Sequence, residues 1–283
     1  MQQIPVRHIN ELDFSENFNI RKIETLLSEN NMVQELHRHN YFFVLFLEKG
    51  KGEHTIDFIS YPITDHSVFF LRPGQVHKLN LKKRSTGYLI QFNRNFYIPK
   101  EDSSNFVLRK VSYKNYCPLD SAKFKKLLSI LAFIFEEYTF KQKRYEDVIK
   151  ANLEILFIEI VRQSQNPKSI SDNSNQYHQD RLEELLDLLQ THIATNKQVT
   201  EYAEFMNLTT FQLNKIIKET IGKTCSQLIN EQIILEAKRN LLATTNKVNQ
   251  IAYNLGYEDT SYFIRFFKKH TGFSPETFRK NFK

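Results

Sequence analysis

Cysteine is scarce in this chain, because only Cys117 and Cys225 occur among its 283 residues. The two are far apart and form no C-x-x-C motif. This spacing argues against a disulfide scaffold, a thiolate zinc site or a redox dithiol. We interpret both cysteines as small packing residues.

Long apolar runs are also missing. The longest one, Tyr41 to Leu47, is far too short to cross a bilayer. The first residues, MQQIPVRHINELDF, contain no basic segment followed by an apolar one, so we expect no secretory signal peptide. These features predict a cytoplasmic protein with no membrane partner.

The composition is that of a globular protein, with 41% hydrophobic and 25% charged residues. A length of 283 residues favours two domains over one. The net charge of +7 is only weak evidence for a polyanionic partner. Its distribution is more informative, since twelve Lys and Arg stand against six Asp and Glu from Phe205 onward.

The N-terminal half reads as short strands separated by Gly and Pro turns, between Glu35 and Phe92. Helical spacing replaces this pattern between Leu119 and Gln163, where two apolar stripes predict two amphipathic helices. The stripes exceed what one face of a small β-domain requires. The two helices are expected to pack on the barrel or on another subunit, and residues 121–163 are predicted to mediate homodimerisation.

A polar stretch, SQNPKSISDNSNQYHQD, follows at residues 164–180 and has the composition of a solvated linker. Seven helices are predicted after it, the first marked by Leu182 to Ile193 and the last by Pro275 to Asn281. We therefore predict an N-terminal domain over 1–165, a linker over 166–179 and a DNA-binding domain over 180–283.

A repeat lies within the helical half. LNKIIKETIG at 213–222 and FIRFFKKHTG at 263–272 share apolar, basic and terminal Gly positions at an offset of 50 residues. A short helix with a small residue, Ala203 or Ala252, precedes each copy, as a helix-turn-helix requires. A plain helical bundle would also expose charges, but two such units joined by one long helix favour DNA binding.

The segment QIAYNLGYEDTSYFIRFFKKHTGFSPETFRK, residues 250–280, resembles the signature of AraC-type transcription regulators. The family pattern is matched by Gly256, Tyr257, Phe263, Phe267 and Pro275, among others. With the looser first unit, the resemblance covers about residues 180–283. It implies two recognition helices in successive major-groove segments on one face of the duplex, about 34 Å apart.

Helix geometry then predicts which side chains face DNA. Lys215 and Arg265 are the candidates for guanine, because a cation about one turn into the helix reaches the groove floor. The complete predicted DNA-binding set is Thr210, Phe211, Asn214, Lys215, Lys218, Thr260, Ser261, Tyr262, Ile264, Arg265 and Lys268.

His37-x-His39 and the later PGQVH, ending in His77, look like the two motifs of a cupin. Metal-binding cupins add a Glu, whose position is taken here by Phe43, which cannot ligate. Three histidines could still hold zinc or iron, but we predict no metal and no cofactor. The predicted wall of an effector site is instead His37, His39, Tyr41, Phe43, Leu45 and His77.

The predicted fold is thus α+β, with an N-terminal cupin-like β-barrel, flanking helices and a C-terminal all-α domain with two helix-turn-helix units. The predicted function is sequence-specific regulation of transcription, by analogy activation, in response to a small-molecule effector. The expected partners are double-stranded DNA, the effector, a second copy of the chain and RNA polymerase. A metal-dependent cupin enzyme and a constitutive architectural DNA binder are the alternatives, and we expect no enzyme activity.

Overall fold

The two halves of the chain form separate units with their own apolar cores. A computed structural model describes residues 6–7, 17–27, 30–93, 95–97, 107–108, 110–112, 114–164 and 173–282. The division between the units falls at residues 167–168. Residues 166–172 of the predicted linker lie outside the described residues.

Within its described residues, the N-terminal unit contains two five-stranded sheets, with strand orders β1-β3-β8-β5-β6 and β10-β7-β4-β9-β2. Neighbouring strands are antiparallel, except that β1 runs parallel to β3. The strands are β1 Val6–Arg7, β2 Phe18–Lys22, β3 Met32–His39, β4 Phe42–Lys49, β5 Gly52–Ile56, β6 Ile59–Ile63, β7 Ser67–Leu71, β8 Val76–Leu81, β9 Thr86–Phe92 and β10 Tyr116–Pro118.

Strand β4 is buried on both faces, which explains why its sequence is continuously apolar rather than alternating. Phe43 and Leu45 point between the two sheets and share a core with residues of β5, β7 and β8. Val44 and Phe46 point the other way, into a second core formed with helices. The second sheet is therefore the middle layer of the unit.

Three helices with full bounds accompany the sheets: α1 Ile23–Leu27, α2 Ser121–Phe140 and α3 Tyr145–Ser164. Helix α2 begins after Asp120, whose carboxylate accepts a hydrogen bond from the backbone N–H of Lys123 at 2.8 Å. Helices α2 and α3 pack side by side over the outer face of the second sheet.

This packing corrects the argument for dimerisation from the two apolar stripes. Leu131 and Ile134 of α2 and Leu153 and Phe157 of α3 are fully buried against the sheet of their own chain. The stripes are used within one subunit because the second sheet has an entire apolar outer face to cover. A dimer contact on this hairpin would have to use other residues.

The predicted α+β architecture is confirmed, with the barrel taking the form of a two-sheet sandwich. Strands β4, β5, β7, β8 and β9 lie where the sequence predicts them. Strands β1, β2, β6 and β10 and helix α1 were not predicted, and Pro62, expected in a turn, lies in β6.

The C-terminal unit is helical throughout its regular structure. Its helices are α4 Asn173–His192, α5 Val199–Phe205, α6 Thr210–Ile221, α7 Cys225–Ala243, α8 Val248–Asn254, α9 Thr260–Thr271 and α10 Pro275–Phe282. Six of them lie within one or two residues of their predicted bounds. Helix α4 begins nine residues before Leu182, so residues 173–179 of the predicted linker are helical instead.

Helix α7 is the common support of this unit. Helices α5 and α6 contact it from one helix-turn-helix, and helices α8 and α9 contact it from the other. Arg279 of α10 adds a bond, because its guanidinium Nε donates to the carbonyl oxygen of Leu241 in α7 at 3.0 Å. Among the described residues, no helix is long and apolar enough to cross a membrane.

The core between α2 and the second sheet can be tested at two leucines of one helix. Leu131→Ala should lower the free energy of unfolding by about 2–5 kcal/mol, because it leaves a cavity in a closed core. Leu128→Ala should cost less, since Leu128 is half-buried. Urea unfolding of the full chain, followed by circular dichroism, measures both. Equal losses would contradict this account of the core.

Candidate nucleic-acid interface and sensor interior

The first helix-turn-helix consists of α5 and α6, and both ends of α6 are capped. The Thr209 hydroxyl accepts from the backbone N–H of Gln212 at 3.2 Å, and the Gln212 side chain accepts from the N–H of Thr209 at 2.9 Å. This reciprocal capping box defines the start of the helix. Gly222 ends it in the left-handed conformation, with φ of 71°.

The second helix-turn-helix consists of α8 and α9, and its second helix is likewise capped at both ends. The carboxylate of Asp259 caps α9 by accepting from the backbone N–H of Ser261 at 2.7 Å. Gly272 ends the helix with φ of 80°. Helices α6 and α9 both contain 12 residues and begin at Thr210 and Thr260, which confirms the offset of 50.

Equivalent positions anchor the two recognition helices, α6 and α9. Leu213 and Ile217 are buried in α6, and Phe263 and Phe267 are buried at the matching positions of α9. The small residues Ala203 and Ala252 are also buried, on the helix that precedes each recognition helix. The anchored face determines which face remains exposed.

The turn of the second unit requires glycine at position 256. Gly256 has φ of 74°, and a Cβ added there would lie 2.0 Å from the carbonyl oxygen of Ala194. The first unit has Asn207 at the equivalent point, with φ of 53°. Asparagine tolerates this conformation better than most residues do, so both turns meet the same backbone requirement.

Most of the predicted DNA-binding side chains lie on the exposed faces of the recognition helices. Phe211 and Tyr262 are 76% and 53% exposed, which is high for large aromatic residues. The exposed members of the predicted set are Thr210, Phe211, Lys215, Lys218, Ser261, Tyr262, Arg265 and Lys268. Asn214, Thr260 and Ile264 are half-buried.

Asn214 has a structural role that the sequence did not reveal. Its side-chain Oδ1 accepts from the backbone N–H of Cys225 at 3.0 Å, and its Nδ2 donates to the carbonyl oxygen of Thr210 at 3.0 Å. These bonds join α6 to the first turn of α7. Asn214 therefore shares the exposed face less fully than Lys215 does.

Sequence reasoning also missed the acidic neighbours of the two candidate guanine readers. Lys215 Nζ lies 4.0 Å from a carboxylate oxygen of Glu219, and an Arg265 Nη atom lies 3.9 Å from one of Asp259. The i,i+4 spacing of Lys215 and Glu219 was a readable signal for the first contact. All four side chains are solvent-exposed, so these weak ion pairs can open when DNA approaches.

In the N-terminal unit, the structure brings the predicted sensor residues together between the two sheets. The ring of His39 stacks on Tyr41 and Phe43, with centroid distances of 4.4 and 5.3 Å. The rings of His37 and His77 are 4.1 Å apart. The six predicted residues, His37, His39, Tyr41, Phe43, Leu45 and His77, are all buried.

A fourth histidine, His54 of β5, belongs to this cluster and was not predicted. Its Nε2 lies 2.9 Å from Nδ1 of His77, whose Nε2 lies 2.7 Å from Nε2 of His39. Three imidazoles thus form a hydrogen-bonded chain. Burial, followed by the charge of His37, lowers the pKa of His54 to about 3, so this ring is neutral near pH 7. The alternation Gly52, His54, Ile56 in β5 could have indicated its inward orientation.

The histidines fit a resident metal only in part. Ligand atoms of His37, His39 and His77 lie within 4.8 Å of one another, so three imidazoles could converge on one ion. Both ring nitrogens of His77, however, already bond to neighbouring imidazoles. Phe43 packs its ring against His39 and His77, at the position where a cupin has its carboxylate ligand.

Two protein families match the chain, one in each unit. A family described as "AraC-like ligand binding domain" matches residues 26–97. A family described as "Helix-turn-helix domain" matches residues 202–281. The first match contains strands β3 to β9 and the histidine cluster, and the second contains both recognition helices.

Similar curated proteins span nearly the whole chain. The HTH-type transcriptional activator RhaS of Yersinia pseudotuberculosis is 24% identical over 250 residues, which cover 86% of this chain and 88% of RhaS. The HTH-type transcriptional activator RhaR of Mannheimia succiniciproducens is 23% identical over 257 residues, with 87% of each chain covered.

Two solved structures are also similar. Wild-type ToxT of Vibrio cholerae with bound unsaturated fatty acid matches 94% of this chain and 97% of its own, at 17% identity and a TM-score of 0.42. The C-terminal domain of the response regulator yesN of Fusobacterium nucleatum matches 35% of this chain and 96% of its own, at 26% identity and a TM-score of 0.33.

Both ring nitrogens of His77 are already hydrogen-bonded, and Phe43 supplies no ligand atom. These two features lead to a prediction on metal content. We expect the purified full chain to contain no stoichiometric metal, because binding would have to break the imidazole chain. Phe43→Glu restores a carboxylate ligand and should increase zinc affinity. Elemental analysis and zinc titration of both proteins test this. One zinc or iron per wild-type chain would disprove the expectation.

Proposed function

Because the chain belongs to the AraC-type family of transcription regulators, we propose that it activates transcription from a specific DNA site when a small molecule binds its N-terminal domain. It is a DNA-binding transcription regulator with a ligand-binding domain. Activation is proposed because the curated relatives RhaS and RhaR are named transcriptional activators.

One observation carries the proposal for the C-terminal unit: the two recognition helices present cations in the same register. Lys215 and Lys218 of α6 correspond to Arg265 and Lys268 of α9, 50 residues later, and all four are exposed. A bundle helix that needed only solubility would have no reason to repeat this register. Two equal reading surfaces suit two successive segments of a major groove.

We assign different roles to the exposed side chains according to their chemistry. Lys215 and Arg265 contact base edges, with Arg265 able to bond the O6 and N7 of one guanine at once. Lys218 and Lys268 contact phosphates and contribute affinity without sequence preference. Phe211 and Tyr262 contact apolar groups such as the thymine methyl. The remaining proposed contacts are Thr210, Asn214, Thr260, Ser261 and Ile264.

For the N-terminal unit we propose effector binding between the sheets, at the wall that includes His39, Tyr41 and Phe43. Stacked rings beside imidazoles suit a small organic molecule. The enzyme alternative is less favoured, because Phe43 provides no ligand and His77 uses both ring nitrogens in hydrogen bonds. A constitutive DNA binder would not need polar groups in this interior.

We propose a homodimer that forms through the outward face of the α2–α3 hairpin. Phe133 of α2 and Ile155 of α3 are 44% and 50% exposed, although their neighbours Leu131 and Leu153 are fully buried. Exposed apolar side chains on adjacent helices are typical of a contact between subunits. Double-stranded DNA and RNA polymerase complete the proposed partners, in the cytoplasm.

Base reading and phosphate attraction can be separated within α9. Arg265→Ala should weaken binding to the cognate site by roughly 1–3 kcal/mol more than binding to random DNA. Lys268→Ala should weaken both alike and reduce the slope of log affinity against log salt by about one. Fluorescence titrations of both DNAs at several salt concentrations measure these effects, with a site first selected from genomic fragments.

Wild type on the same two DNAs is the reference for both variants. If Arg265→Ala lowered the two affinities equally, α9 would not read bases through this residue. If wild type showed no preference for any selected fragment, the proposed sequence-specific function itself would be wrong.

The dimer surface predicts a change in mass. Phe133→Glu with Ile155→Glu should convert a dimer into a monomer at micromolar concentration, because it places two charges in a contact that is apolar. Sedimentation equilibrium measures the mass, and circular dichroism checks that the fold is retained. An unchanged mass in a folded double variant would refute this surface.

A further inference from the structure

Two short connections lie side by side at one end of the N-terminal unit. Residues 49–52 lead from β4 in the second sheet to β5 in the first, and residues 82–85 lead back from β8 in the first sheet to β9 in the second. The backbone N–H of Lys82 donates to the carbonyl oxygen of Lys51 at 2.9 Å, which joins the two connections. They therefore form one surface, which we call the basic end.

The basic end combines many cations with no acid of its own. Its five exposed cations are Lys49, Lys51, Lys82, Lys83 and Arg84. In the part of the chain that the structure describes, none of the five forms an ion pair. Asp65, on a neighbouring loop, accepts a hydrogen bond from the backbone N–H of Gly50 at 2.8 Å. Glu48 alternates with Phe46 along β4 and so points toward the helix layer. The basic end is thus a concentrated positive charge that suits a polyanion.

Arg84 adds a second observation, because its backbone is unusual for an arginine. Its φ is 70°, in the left-handed region that suits glycine better than a residue with a Cβ. Arg144, in the turn between α2 and α3, has a similar φ of 66°, but its Nε donates to the carboxylate of Asp147 at 2.9 Å. Within the described residues, Arg84 has no such partner. The fold of this unit therefore gives no reason for a guanidinium at position 84.

We propose that the basic end binds the phosphate backbone of the DNA duplex held by the C-terminal unit, outside the bases that α6 and α9 read. The inference goes beyond the proposed function and rests on the DNA binding in it. Because both units belong to one chain, bound DNA is present beside the N-terminal unit at a high effective concentration. The contact adds affinity and salt dependence without adding sequence preference.

The chemistry of the basic end fits DNA better than a protein or a membrane. The two connections read KGKG and KKRS, with no aliphatic or aromatic residue. A protein interface usually has an apolar or aromatic centre, and a segment that binds the membrane surface inserts apolar side chains. Interfaces with DNA are polar and strongly positive. A phosphate backbone is therefore the partner that this surface matches.

The first experiment compares two duplexes that contain the same selected site. The short one is trimmed to the minimum that retains sequence preference, and the long one has random flanks on both sides. The triple variant Lys51→Gln, Lys82→Gln, Lys83→Gln should reduce the slope of log affinity against log salt by about 2–3 on the long duplex, at about 0.9 for each lost phosphate contact. On the short duplex its slope should equal that of wild type. Fluorescence titrations of the full chain measure both.

A matched control removes the same charge from another turn of the same unit. The triple variant Lys141→Gln, Lys143→Gln, Arg144→Gln changes three exposed cations of the turn between α2 and α3. Its slopes should equal those of wild type on both duplexes. An equal loss in the two triple variants would mean that only net charge matters, and an unchanged slope of the basic-end variant on the long duplex would remove the contact. Either result would overturn the inference.

Arg84→Gly separates DNA binding from stability. Glycine adopts the left-handed conformation without strain, so the Tm of the full chain should stay the same or rise. Binding to the long duplex should nevertheless weaken, with a loss of about one in the salt slope. A lower Tm would show that the arginine stabilises the fold, and unchanged binding to the long duplex would show that it does not contact DNA. Each of these results would contradict the proposal.

Two further outcomes separate this inference from the proposed function and from another partner. If wild type shows no preference for the selected site, the sequence-specific function fails, and the slopes on long random DNA still test the basic end. Vesicles of phosphatidylserine and phosphatidylcholine test the membrane. If the basic-end variant lost binding to these vesicles and kept the wild-type slope on long DNA, the partner would be a membrane and the inference would be wrong.

Discussion

The burial of β4 on both faces is the constraint on which the N-terminal unit depends. A strand in the middle of three layers has no solvated side, so every residue from Phe42 to Leu47 must be apolar. One face needs a second sheet and the other needs helices. The pair of helices after the sheets is therefore part of the domain core, because without it Val44 and Phe46 would be exposed to water.

The space between the two sheets is buried and mostly apolar, so the few polar side chains in it are chemically important. Polar side chains in such a place must find partners inside the protein or in a ligand. The imidazoles of His39, His54 and His77 bond to one another, and Gln91 bonds to Arg21 and Tyr41. The interior is thus a set of fixed donors and acceptors within an otherwise apolar wall, which is the usual construction of a selective small-molecule site.

The sequence predicted local features well and long-range features poorly. Capping residues and terminal glycines act within a few residues of one another, and the same pattern recurs 50 residues later. Both recognition helices could therefore be placed from the sequence alone. Strand β2 and the role of His54 depend on pairing with β9 and β8, far away in the sequence. The apolar stripes of α2 and α3 were recognised, and the β-domain was one of the two partners expected for them. They were also assigned to dimerisation because the extent of the outer face of the second sheet is not visible in a linear pattern.

A final consequence concerns helix α7, Cys225–Ala243, on which both helix-turn-helix units pack. Nineteen residues at 1.5 Å each give a rigid rod of about 28 Å. Adding or deleting one residue in α7 would shift one helix-turn-helix unit relative to the other along the helix axis and rotate it by about 100°. Helix α7 therefore fixes both the separation and the relative rotation of the two helix-turn-helix units. A change in its length would alter both at once and leave the fold of each unit intact.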